Sequence, residues 1–315
     1  MAKMVDKSAK NEKYQFQKLK MCKNCQRYSV LKDPICSVCG KHYKKVHLLV
    51  KKSVITRLFT EAIWILTVTG MGVIFSPTTQ TMYYLAGGAI FCISYIIVTS
   101  IFLKSEYHYQ LKKRLRKDLR KIQAGIRFDS NLAKEAENEG QLAAAYVKLC
   151  EIGDFVYSDE VKIRQLIVLN KLPFRSGAEP GLEGLIPSSY DKNFVEYALK
   201  VLKQNRARFT KKCIAYFISY RENIRIDFGE DSLIAIVDTA LRMKLYILEF
   251  SSFIEEFLSD LPKERIKRLC SIIHANPDLD WGSLKVSTME LIGKKYPYDP
   301  DFKSILINER AISRA

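Results

Sequence analysis

The chain has 315 residues, 51 Lys/Arg against 34 Asp/Glu, a formal net charge of +17, 8 Cys and 4 His. Its basic excess is confined: residues 1–52 hold 14 Lys/Arg and 3 Asp/Glu, residues 104–127 hold 9 and 2, and residues 128–315 hold 27 and 28. Positive charge that flanks one apolar stretch is explained by membrane topology and attraction to anionic lipid headgroups, so it does not by itself demand nucleic acid.

Residues 1–17, MAKMVDKSAKNEKYQFQ, contain four Lys and few apolar anchors, which predicts a flexible tail. A zinc-binding pattern follows over residues 18–52, in the pairs Cys22-Lys-Asn-Cys25 and Cys36-Ser-Val-Cys39. Four thiolates in a reducing compartment favour a tetrahedral zinc ion, because each C-x-x-C turn aims backbone N–H groups and both sulfurs at one point. Gly40 directly after the second pair suits a tight turn with positive φ. The ten residues between the pairs leave room for a small β-hairpin, to which Tyr28, Val30 and Leu31 bring apolar side chains. His42 and His47 are available as substitute ligands, but four cysteines already fill a shell.

On the four cysteines and Gly40, residues 20–42 resemble a zinc ribbon of the kind found in bacterial membrane proteins just ahead of a transmembrane helix. The resemblance implies one structural zinc held by Cys22, Cys25, Cys36 and Cys39, and no particular activity. A rubredoxin-like iron site is disfavoured, since the second pair lacks the proline such knuckles carry. With so small a core of its own, the ribbon is expected to fold on its metal.

Residues 53–103 form the centre of the plan. Two apolar segments, 54–75 and 82–103, are 22 residues each, about 33 Å as helices, and only six residues join them. They predict an antiparallel transmembrane hairpin. The basic flanks place both ends, and hence both termini, in the cytoplasm. No cleavable signal peptide is read, because the first apolar run is long and late. Gly70 and Gly72 on one span and residues 86–89 on the other predict close helix packing at the outer end, with splay toward the cytoplasm. Arg57 and Glu61, four apart, read as a snorkelling ion pair.

Residues 104–127 read as a basic amphipathic helix continuing the second span. Its stripe is Tyr107, Leu111, Leu115, Leu119, Ile122 and Ile126, which predicts docking on the C-terminal domain or self-association into a homo-oligomer. Residues 128–315 read as an all-α bundle or solenoid-like domain. Its first helix, over 131–152, is expected to be capped by Asp129 or Ser130, with Leu132, Ala136, Ala143, Val147 and Cys150 inward. Further helices are expected at 158–172, 191–204, 209–222, 231–248, 250–259, 263–274 and 282–295. A Pro- and Gly-rich stretch over 173–187 is read as a linker loop, because it lacks the Lys-Ser/Thr of a phosphate-binding loop.

No catalytic constellation is legible, and cysteines 150, 213 and 270 sit on apolar helical faces. The sequence therefore predicts a mainly α protein: zinc ribbon, two-helix transmembrane hairpin, basic helix and cytoplasmic helical domain. The expected role is a non-enzymatic membrane-anchored scaffold with a cytoplasmic protein partner, in a bacterial cell membrane rather than the endoplasmic reticulum. Two other readings stay open: a membrane tether for nucleic acid through the basic ribbon, and an accessory subunit of an oligomeric channel lined by Thr67, Thr69 and Ser94.

Overall fold

The computed structural model describes residues 15–75, 77, 81–173 and 181–302. Most of the expected tail, most of the 76–81 connection, residues 174–180 of the linker loop and the chain beyond 302 lie outside that range. The protein is mainly helical with one small sheet, and it divides into two compact units, Met1–Val161 and Lys162–Ala315. The division falls at Val161, where the sequence suggested residue 128.

In the first unit, β1 (Lys20–Cys22) lies between β2 (Tyr28–Ser29) and β3 (Tyr43–Lys45), antiparallel to both. Met21 faces Tyr28 on one side and Lys44 on the other. The hairpin thus closes around the first C-x-x-C turn rather than between the two turns. An isolated bridge, Ile35 to His42, closes the second turn in the same way.

β3 runs directly into α1 (Val46–Ile74), and α2 spans Thr81–Lys117. Both are long and apolar enough to cross a membrane. At 29 and 37 residues they measure about 44 and 56 Å, well beyond a bilayer core of roughly 30 Å. The excess lies at the end away from their connection. There α1 buries Val46, Val50 and Val54, spaced four apart, against Leu19, Tyr28, Val30 and Leu31 of the ribbon. Leu111 of α2 joins the same core. α1 begins eight residues earlier than the expected span because that stripe has a partner.

The basic helix is not continuous. α2 stops at Lys117 and α3 (Leu119–Asn138) starts after Asp118, whose carboxylate accepts the Tyr28 hydroxyl at 2.6 Å. The stripe packs into one core with both the ribbon and the start of the C-terminal region: Leu111 and Ile122 are buried beside Leu19, Tyr28 and Ile152, and Tyr107, Leu115 and Ile126 pack at its margin with Leu132, Phe155 and Val161. Leu119, next to the break, is left 54% exposed. A second break at Gly140, with φ +78°, divides the single helix expected over 131–152 and begins α4 (Leu142–Gly153). The register shift leaves Val147 exposed and puts Ala145, Leu149 and Ile152 inside. Asp129 is accordingly no cap; it lies in mid-helix and is buried.

The helix pair also departs from expectation at its connected end. Gly88 shows a close approach, since a Cβ there would meet Thr69 at 3.1 Å, whereas Gly70 and Gly87 face open space. A groove of about 660 Å³ opens there between Trp64, Thr69, Gly72, Gly87, Gly88 and Phe91. A smaller groove, of about 250 Å³, opens at the end carrying the ribbon, between Val54, Arg57, Glu61, Val98, Phe102 and Glu106. Arg57 pairs there with Glu61 at 2.7 Å and Glu106 at 2.8 Å, and Tyr95 donates to Glu61 at 2.9 Å. The hydroxyls of Thr67, Thr69 and Ser94 donate to carbonyls of their own helices.

The second unit holds most of α5 (Asp159–Lys171), then α6 (Leu182–Leu185), α7 (Lys192–Gln204), α8 (Lys211–Ser219) and α9 (Arg221–Phe228). It continues through α10 (Glu230–Ala240), α11 (Lys244–Glu249), α12 (Ser251–Glu256), α13 (Lys263–His274) and α14 (Gly282–Lys295). Ser158 caps α5 through the Val161 N–H, and the Asp191 carboxylate caps α7 through the Phe194 N–H at 2.9 Å. Two expected helices are broken. Tyr220 parts α8 from α9, and residues 241–243 part α10 from α11, which turns Leu245 outward. Phe194, Cys213, Ile214, Phe217, Ile236 and Cys270 form part of a close-packed interior.

Two residues of α3 join ribbon to helix. Gly125 of α3 lies against β2, where an added Cβ would stand 2.9 Å from the Tyr28 carbonyl carbon and overlap its oxygen. The Asp129 carboxylate accepts the Val30 N–H at 2.8 Å and the Ser29 hydroxyl at 3.0 Å. Replacing Gly125 with Ala raises helix propensity by about 1 kcal/mol, yet it is expected to lower the thermal midpoint of the full-length protein in detergent, because backbone cannot move aside. Burial pushes the Asp129 carboxyl up to about 6, against the Val30 and Ser29 hydrogen bonds. A carboxyl raised on folding contributes stability that is complete below its unfolded value near 3.9 and lost as pH rises through about 6. Wild type is therefore expected to lose about 1 kcal/mol relative to Asp129→Asn between pH 5 and 7, read from parallel denaturant titrations.

Candidate metal centre

Each C-x-x-C turn is built on the same backbone frame. The Cys22 N–H donates to the Arg27 carbonyl at 2.9 Å, and the Cys36 N–H donates to the Lys41 carbonyl at 2.9 Å. The residue before each acceptor takes the left-handed conformation: Gln26 with φ 55° and Gly40 with φ 68°. Glycine meets that demand at no steric cost, whereas glutamine is strained by it. In the second turn the Gly40 N–H also returns to the Cys36 carbonyl at 2.8 Å.

This frame brings all four sulfurs within 4.8 Å of one another. The Cys22–Cys39 pair is 3.4 Å apart, Cys25–Cys36 3.6 Å and Cys25–Cys39 3.9 Å. A tetrahedral zinc site with Zn–S bonds of about 2.3 Å has sulfur–sulfur edges of about 3.8 Å, so the spacing matches the edge of such a shell. None of the four is in a disulfide. Four soft donors so arranged can hold one metal ion such as zinc. His42 enters only the backbone bridge to Ile35, and His47 lies in the first turn of α1.

The electrostatics prepare the sulfurs unequally. Backbone N–H groups of Cys25 and Asn24 hold the Cys22 thiol below its ordinary value. Burial pushes Cys36 up, but the Tyr43 hydroxyl and the N–H groups of Val38 and Cys39 outweigh it and bring the thiol down to about 6. Burial pushes Cys25 up to about 11. Metal binding requires thiolates, so Cys36 and Cys22 are the sulfurs most ready to start a site and Cys25 the one that gains most from a cation.

Beside the first turn lies an open cleft of about 810 Å³, formed by residues 24–27 and the face of α3 that carries Arg120, Lys121, Arg127 and Phe128. Lys41, Lys44 and Lys45 are the basic residues of the ribbon just after the second knuckle. Those residues do not line this cleft, and Arg27 does. Sequence reading missed Gln26, whose one signal is its place directly after a C-x-x-C pair, equivalent to Gly40. Gly125 carried no signal, since its partner is a strand nearly a hundred residues away.

No known protein family, curated protein or solved structure matches the chain.

Full-length protein purified in mild detergent is expected to carry one zinc per chain by mass spectrometry. Cys22→Ser or Cys36→Ser should each lower that content several-fold, while Cys213→Ser, in the other unit, leaves it unchanged. Undiminished zinc in both knuckle variants would rule out the four-cysteine shell.

Proposed function

We propose that this chain is a non-enzymatic membrane-anchored scaffold. Residues 54–75 and 82–103 cross the bilayer as a hairpin, and both flanks and both termini lie in the cytoplasm. Residues 18–52 form a zinc ribbon with one structural ion on Cys22, Cys25, Cys36 and Cys39, and the helical region binds a cytoplasmic protein. The observation that carries this reading is the common core of ribbon and apolar helices. Leu19, Tyr28, Val30 and Leu31 pack on Val46, Val50, Val54 and Leu111, so the metal-bearing ribbon braces the base of the hairpin. A metal used to set the stance of two membrane helices has a structural task and needs no open coordination position.

The charge distribution supports the orientation. Its two basic blocks border the apolar segments at the same end, which the positive-inside rule assigns to the cytoplasm. Anionic headgroups are the natural partners of the exposed lysines Lys51, Lys52 and Lys104.

Protease added to sealed right-side-out vesicles is expected to spare both flanks, and in inverted vesicles to digest them. In-cell crosslinking followed by purification should recover a stoichiometric protein partner that survives nuclease. Recovery of no partner, a second copy included, would sink the scaffold reading. A second reading, tethering of nucleic acid to the membrane, is favoured by one observation, the basic cleft beside the first knuckle.

A further inference from the structure

The cleft between the first knuckle and α3 has an unusual lining. It contains Arg27, Arg120, Lys121 and Arg127, and neither Asp nor Glu. Among the described residues, none of these four cations pairs with a carboxylate. Four like charges around a space of about 810 Å³ repel one another, and only a ligand or counterions relieve that repulsion.

The four are also held in place by different means. The Arg27 guanidinium carbon lies over the Phe128 ring, 4.0 Å from its centroid, and its Nη1 is buried with no hydrogen-bond partner among the described residues. A buried guanidinium nitrogen without an acceptor costs free energy, and a bound anion would supply the acceptor. Lys121 is drawn toward the knuckle by the Gln26 side chain, 3.0 Å from its Nζ. Gln26 is the strained, left-handed residue of the first turn, so the same residue that shapes the metal knuckle positions a cation of the cleft. Arg120 and Arg127 stand exposed along the α3 face.

We propose that this cleft binds single-stranded nucleic acid through its phosphates; this rests on the tether reading above. Three features favour that ligand. The cleft's volume of about 810 Å³ falls in the range of ordinary ligand pockets, roughly 300–1,000 Å³, enough to admit a nucleotide. Arg27 and Phe128 offer a stacked planar surface, and the side-chain amides of Asn24, Gln123 and Asn131 offer donors and acceptors to base edges. Lys113, Arg116 and Lys117 at the end of α2 add positive charge within seven residues of Arg120 in the chain, which suits a polymer of phosphates better than a lone anion. A lipid headgroup fits less well, because Lys117 lies 14 residues, about 21 Å of helix, beyond the end of the apolar segment at Leu103.

The test uses the full-length, zinc-loaded protein in nanodiscs of neutral phosphatidylcholine, with a fluorescent single-stranded 20-mer RNA as probe. Three proteins are compared: wild type, Arg120→Gln/Arg127→Gln, and a control, Lys41→Gln/Lys44→Gln, that removes the same charge from the ribbon outside the cleft. Zinc content verifies that all three are folded. Wild type should bind, with log affinity falling against log salt at a slope of about −2 to −3, as three or four phosphate contacts give. The cleft variant should bind at least tenfold more weakly with a shallower slope, and the control should change less than threefold. Equal weakening in both variants would overturn the cleft as the site while leaving the tether reading standing. No RNA binding by wild type would overturn both. Recruitment to phosphatidylglycerol vesicles that depends on Arg120 and Arg127, without RNA binding, would replace the proposal with a lipid site.

Discussion

The first unit turns on the contact between the Tyr28 backbone and Gly125. At that point a strand that follows the first metal knuckle lies so close to α3 that no side chain fits between them. Everything near it is consistent with that distance. The Tyr28 ring is buried in the common core, its hydroxyl donates to Asp118 where α2 gives way to α3, and the next two residues donate to Asp129 one turn along α3. Burial and the Asp118 hydrogen bond together push the Tyr28 phenol up to about 12, so it stays a donor at any ordinary pH. A short ribbon with almost no apolar interior thereby acquires one, borrowed from α1, α2, α3 and α4. This alters what the metal does. An ion held by the four cysteines would then lock the two turns of a sheet whose hydrophobic face is already covered.

The same packing explains why the apolar helices are longer than a membrane requires. In lipid two such helices gain little from burying apolar surface against each other, since the tails are equally apolar. Within their apolar stretch Gly88 comes close to Thr69, and an open groove lies beside it. Outside it, water restores the hydrophobic drive, and the helix ends bury Val46, Val50 and Leu111. The Arg57–Glu61–Glu106 cluster and the Tyr95 hydroxyl mark the transition between the two regimes.

What was legible in the sequence depended on the range of the interaction that encodes it. The four cysteines, the left-handed Gly40, the two apolar helices and the bounds of α13 and α14 are local patterns, and the structure has them where the sequence put them. Errors arose where a distant partner decides. Asp129, a helix cap by its neighbours, is a buried acceptor for a strand a hundred residues earlier. The stripe of residues 107–126 was recognised, and the start of the C-terminal region as a partner, but the ribbon that shares their core was not, because a period reveals an apolar face without saying all that covers it. Helix breaks at Asp118, Gly140 and Tyr220 were missed where good helix-forming neighbours masked them. The cleft was invisible for the same reason: Arg27 and the cations of α3 are far apart in the chain and meet only after Gly125 admits the strand.

Were the knuckles to hold an ion and the cleft an anion, these links would make the two sites parts of one device. The first knuckle fixes the left-handed turn at Gln26, and that turn fixes two things: the Gln26 amide that holds Lys121, and the Arg27 guanidinium that lies on Phe128. If the sulfurs lost their ion, the repulsion among four cations would act on a turn that already carries backbone strain. Both would favour opening the knuckle. A bound polyanion works in the opposite sense, neutralising the cations and so holding the turn in the conformation the metal needs. Metal and anion would therefore stabilise each other's sites without touching, as linkage requires of two ligands that favour the same conformation of one short segment.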